Sequence, residues 1–132
     1  MGKLKVLFHI NEPERWQRVL TNITNFINDA GQDNVDVEVV ANGGAVVGYA
    51  AQDRLECGCS GKDSAVCGKP EGKLLEEMKR LAGMGISFTA CRNALKMNSM
   101  DESTLPPFVT VIPAGITEIT VKQGGGYAYI KP

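Results

Sequence analysis

Four cysteines carry most of the reactive chemistry open to this 132-residue chain, and their spacing separates them into one isolated thiol and one group. Cys91 is the isolated one. It ends an alternating apolar run (Ile86, Phe88, Ala90) and precedes Asn93 to Met97, which reads as a short helix. A thiol at that junction feels the positive end of the helix, which can draw its pKa from about 8.5 into the range of about 3.5 to 7.5. Arg92 adds a neighbouring positive charge. Cys91 is therefore the candidate nucleophile. The competing reading is that it only closes the strand, since cysteine packs as a small buried apolar residue, and spacing alone leaves both open.

Cys57, Cys59 and Cys67 form the group, within a polar, glycine-rich stretch over residues 53–72 that reads as an exposed loop or insertion. Three readings stay open. A zinc site would need a fourth ligand from another subunit, Cys91, His9 or a carboxylate, and the single-residue Cys57–Cys59 spacing is shorter than zinc motifs use. A redox pair would make one of the three a resolving thiol for Cys91 through a reversible disulfide. The remaining reading is a surface insertion with incidental thiols. His9 lies on an apolar strand and reads as a hydrogen-bonded packing residue, and Met84, Met97 and Met100 as packing or subunit contacts. Gly43, Gly44 and Gly48 lack the following Lys and Ser/Thr of a phosphate loop.

Composition narrows the setting. Fourteen Lys and Arg against 15 Asp and Glu give a net charge of −1 with the signs interspersed, which offers nucleic acid no basic stripe. With 43% hydrophobic residues, a chain of this length builds one core, and a single domain over residues 1–132 is expected. The longest apolar run, Ala45 to Ala51, is broken by Gly48 and is far short of the roughly 20 residues of a membrane span. No signal-like segment opens the sequence, so a cytoplasmic setting with reduced thiols is expected.

The elements that must position these residues alternate in type. Lys3 to Ile10 reads as a buried strand, and Asn11 as the cap of a helix with Pro13 in its first turn and Glu14 completing a capping box. Trp16, Val19, Leu20, Ile23 and Ile27 make one apolar stripe ending before Gly31. Val35 to Ala41 is a second strand, stopped by Asn42-Gly43-Gly44, and Ala45 to Gln52 a short helix. Lys73 to Ala82 returns to helical period, with Leu74, Leu75, Met78 and Leu81 inward. After the Cys91 strand, Asp101 to Leu105 reads as a turn and Phe108 to Ile112 as a fourth strand. Ala114 to Gln123 is ambiguous, because Ile116 and Ile119 fit a helix while Thr, Val and Ile favour a strand. Tyr127 to Lys131 closes the chain as a strand.

Strands alternating with helices, without hairpin turns, give an α/β fold with a largely parallel sheet, whose ligands bind at the carboxyl ends of the strands. That edge gathers Asn11, Asn42, Gly43, Gly44, Cys91, Arg92, Asn93 and Gly115. The asparagines can hydrogen-bond a ligand, and the glycines admit backbone N–H groups to an anion or to sulfur.

Four segments in order carry a family resemblance: KVLFHINEPERW, VEVVANGGAV, FTACRNALKMNSM and VTVIPAGITEITVKQGGGYAYIKP. They are spread over residues 5–132 on both sides of the 53–72 stretch, and they resemble the DsrE/DsrF-like family of small α/β sulfur-relay proteins. The resemblance implies a Rossmann-like or flavodoxin-like layered fold, a helix over Ala114 to Gln123, and a homotrimer or homohexamer. It also implies that Cys91 carries sulfane sulfur as a persulfide, as a carrier or sulfurtransferase subunit working between donor and acceptor proteins. The cysteine group departs from the family pattern. Two other functions remain in view: a non-catalytic oligomer binding a small anion or nucleotide, with zinc in its cysteine loop, and a thiol redox protein pairing Cys91 with a loop cysteine.

Overall fold

A computed structural model describes residues 3–50 and 64–132, the stretch 64–72 by its backbone alone. Five strands, β1 (Leu4–Ile10), β2 (Val35–Ala41), β3 (Ser87–Cys91), β4 (Val109–Ile112) and β5 (Ala128–Ile130), pair in the order β4-β3-β2-β1-β5, every pairing parallel. The helices are α1 (Trp16–Ala30), α2 (Ser64–Gly83), α3 (Arg92–Met97) and α4 (Gly115–Gly124), with 3-10 segments that include Pro13–Arg15 and Gly43–Ala50. This is the expected Rossmann-like, flavodoxin-like layered α/β architecture.

Strand side chains alternate between faces, so each face of the sheet has its own core. On the first face Val6, Phe8, Ile10, Val37, Val39, Phe88 and Ala90 pack with Trp16, Val19, Leu20, Ile23 and Ile27 of α1 and with Met78 and Leu81 of α2. The second face is thinner. There Leu7, Val40 and Ile112 are covered by Ile119 of α4, with Tyr127 alongside. Burial of Ile119 over that apolar strip settles the ambiguous segment as a helix against its β-favouring composition.

Three local expectations differ from the structure. Asn11 does not cap a helix: the chain enters α1 through the 3-10 turn Pro13–Arg15, closed by the Arg15 amide on the Glu12 carbonyl at 3.1 Å. The segment after β2 is a 3-10 helix over Gly43–Ala50, entered at Gly43 with φ +55°. Finally α2 begins at Ser64, so residues 64–72 of the expected loop are helical despite Gly68, Pro70 and Gly72. Extending a helix from its packed turns costs far less than nucleating one, which lets poor formers be included.

The first-face core is pinned by one indole. Trp16, 1% exposed, donates from Nε1 to the Ala45 carbonyl at 2.8 Å and tilts against Tyr49 and Phe88, with centroids 5.2 and 6.3 Å away. Tyr49 in turn donates to the Thr89 carbonyl of β3 at 3.0 Å. Gly48 makes the approach possible, because a Cβ there would lie 2.4 Å from Trp16 Nε1. Gly48→Ala should therefore destabilise the protein by about 2–3 kcal/mol through overpacking. A urea midpoint equal to that of the parent chain would contradict this packing.

Candidate functional site

Parallel strands deliver all their carboxyl ends to one edge, and register sets which residues meet there. Ile10, Ala41 and Ala90 lie level on β1, β2 and β3, so Asn11, Asn42 and Cys91 are the next residues out on three neighbouring strands, which are spaced about 4.8 Å apart. Cys91 is in register with Ile112 of β4. The edge thus brings together Asn11, Asn42 and Cys91, as the sequence reading required.

Cys91 is a free thiol, 6% exposed, at the residue immediately before α3. Its side chain belongs to the first-face core, with Ala94 and Leu95 of α3 in the same cluster. Arg92 Nε pairs with Glu102 Oε2 at 2.6 Å, which raises its pKa. Asn93 is exposed. Asn98 ties α3 to the loop after β2, donating from Nδ2 to the Gly43 carbonyl at 3.1 Å.

The glycines at this edge are sites of close approach. A Cβ on Gly43 would lie 3.2 Å from the Asn11 carbonyl, and one on Gly44 would lie 3.4 Å from Pro13 Cδ. Gly115, the first residue of α4, abuts Asn42 from the second face, where a Cβ would lie 3.2 Å from Nδ2 and 3.4 Å from Val40 Cγ1. These glycines therefore serve tight packing of the turns around Asn11 and Asn42.

Asn42 is the hub of a polar chain. Its Oδ1 accepts from His9 Nε2 at 3.1 Å, and the other ring nitrogen, Nδ1, meets the Tyr129 hydroxyl of β5 at 2.6 Å. Because Oδ1 accepts, the imidazole proton sits on Nε2, and Nδ1 accepts the phenolic proton. Burial holds the His9 pKa below its usual value, against the Asn42 hydrogen bond and with the Lys131 charge acting in the same direction as burial. His9 is thus neutral at pH 7. Lys131 donates to Asn11 Oδ1 at 3.1 Å, so β5 and the residue after it tie down two of the edge asparagines, one directly and one through His9. Tyr129 and Lys131 were not singled out from the sequence, because each lies 120 residues from its partner and no local spacing announces the contact.

Cys57 and Cys59 lie outside the described residues, and Cys67 is placed only as a backbone position on α2. Among the described residues no three His, Cys, Asp or Glu side chains gather as a metal site. A charged surface groove between α1 and α2, lined by Gln17, Lys73, Glu76, Glu77 and Arg80, contains none of the edge residues. No described helix is long and apolar enough to cross a membrane.

No family model matches the chain, and no curated protein does. Among solved structures it is similar to the protein of unknown function MTH1491 from Methanobacterium thermoautotrophicum, with 27% identity and a TM-score of 0.72. The match covers 98% of this chain and 100% of that one, so the whole layered domain is shared.

The His9 geometry makes a spectroscopic prediction. Long-range proton–nitrogen correlation at pH 7.5 should show the Nε2–H tautomer, and the ring should titrate below 6.5, the ordinary value. An Nδ1–H ring, or a midpoint above 6.5, would contradict the Tyr129–His9–Asn42 chain.

Proposed function

We propose that the protein is a sulfur carrier or sulfurtransferase subunit that holds sulfane sulfur as a persulfide on Cys91. The observation that carries this reading is the position of Cys91 at the carboxyl edge of an all-parallel sheet, level with Asn11 and Asn42 and immediately before a helix. Support also comes from the resemblance of four ordered segments to sulfur-relay proteins of the DsrE/DsrF-like type.

The chemistry is a pair of displacements. The Cys91 thiolate attacks the outer sulfur of a donor persulfide R–S–SH; a new S–S bond forms, the donor S–S bond breaks, and the donor leaves as a thiolate that takes up a proton. An acceptor thiolate then attacks the outer sulfur on Cys91, forming its own persulfide and releasing the Cys91 thiolate. No external oxidant or reductant is consumed. Both steps are thiolate exchanges whose rates follow thiolate fraction and access. Cys91 is 6% exposed, so a donor must present its sulfur at the edge itself.

Oligomerisation and a cytoplasmic setting belong to the same proposal. Ile116 and Val121 on α4, at 70% and 62% exposure, and Ile130 on β5 provide apolar surface that a homotrimer or homohexamer would cover. The zinc and redox readings of the remaining cysteines rest on positions whose side chains lie outside the described residues.

Treatment with polysulfide followed by intact-mass and peptide mapping should find a one-sulfur adduct on Cys91 that is lost in Cys91→Ser. Modified cysteines at 57, 59 or 67 beside an unmodified Cys91 would overturn the carrier assignment.

A further inference from the structure

The second face of the sheet contains a buried acid that the edge chemistry does not use. Glu38, on β2, is 4% exposed and lies level with Leu7 of β1 and Ser87 of β3. Its Oε1 pairs with Lys122 of α4 at 3.3 Å, while its Oε2 is buried without a donor among the described residues. Glu118 lies one turn before Lys122 on the same helix, so the residue that neighbours the Glu38 partner along α4 is another acid. Two carboxylates cannot satisfy each other, since both only accept. One proton between them changes that: a protonated Oε2 donates to Glu118, and the orphaned atom is satisfied.

Among the described residues the surrounding charges come from three elements. From α4 come Glu118 and Lys122; from the segment after it comes Tyr127, whose hydroxyl donates to Asp36 of β2 at 2.8 Å. Lys122 and Lys5 of β1 lie over the Tyr127 ring, 5.1 and 5.7 Å from its centroid. Among the described residues one cation, Lys122, is bonded directly to Glu38. With both acids ionised, the cluster therefore holds one repulsive acid pair and one unpaired buried oxygen against a single ion pair, which is costly at low exposure.

We infer that a proton shared by Glu38 and Glu118 latches α4 onto the sheet, so that α4 is seated most firmly in acid and loosens as pH rises to neutral and beyond. The helix has little else to hold it. Ile119 is its one buried large apolar residue, and release of α4 would uncover Leu7, Val40 and Ile112. It would also withdraw Gly115 from Asn42, which links the latch to the carboxyl edge.

The sign follows from burial. Desolvation first, and then Glu118, push the Glu38 pKa up from 4.5 to about 7, with Lys122 opposing. A raised carboxyl pKa gives stability that is complete below 4.5 and disappears as pH rises through about 7.

Amide hydrogen exchange tests this on the intact chain. After correction for intrinsic rates, opening of α4 should rise about tenfold between about pH 6 and about pH 8.5, while α1 amides change much less. Glu38→Gln, whose amide can donate to Glu118 at any pH, should flatten that rise. Equal pH dependence in α4 of the parent and the variant would overturn the latch. Should the variant not fold, carbon-detected titration of Glu38 in the parent chain decides together with the exchange data: a midpoint near 4.5 overturns the proposal, as does one near 7 without a rise of α4 opening through the same pH range, and one near 7 with that rise upholds it.

Discussion

The arrangement depends on seating one indole against a residue with no side chain. Trp16 closes onto Gly48 and the Ala45 carbonyl, and Tyr49 carries the contact on to the backbone of β3. This chain of contacts fixes the start of α1 and the 3-10 segment after β2 over the same face of the sheet, and thereby the turns that leave β1 and β2. A fully buried tryptophan is worth about 3–5 kcal/mol against truncation, enough to override the weak local preferences of a glycine-rich segment. Asn11 and Asn42 stand where they do because the turns beyond them are held from this side.

The two faces of the sheet do different work. The first is a thick apolar layer under α1 and α2, and it sets stability and register. The second is covered by a ten-residue helix with one buried isoleucine and a charge cluster, so its cover depends on electrostatics more than on area. Asn42 touches both systems: it bonds to His9 along the edge and abuts Gly115 at the start of α4. Any movement of α4 is therefore felt at the residue level with Cys91.

The first-face core was legible in the sequence because its stripe is periodic: Trp16, Val19, Leu20, Ile23 and Ile27 are all buried as the spacing demands. The edge position of Cys91, Asn11 and Asn42 was legible as well, since a parallel sheet collects its strand ends by rule. What escaped was set by contacts between distant residues. The Tyr129–His9 bond and the Lys131–Asn11 bond span the whole chain, and alternation in β2 does not say that α4 lies over Glu38. Asn11 carried a helix-cap signal, yet its side chain is engaged by Lys131 and the turn begins one residue later. Arg92 suggested a charge beside the thiol, and its Nε pairs with Glu102, a partner ten residues on that local spacing did not announce.

The proposed carrier role requires that Cys91, although part of the first-face core, be reachable as a thiol at the sheet edge, and the alkylation rate of Cys91 tests that most directly. Measured at neutral pH in the folded protein and in the unfolded chain, with the site identified by peptide mapping, the folded rate should stay within about tenfold of the unfolded one, since a thiol presented at the sheet edge is reached without unfolding. A folded rate lower by about a hundredfold or more, the mark of a thiol reached only through local opening, would contradict the account.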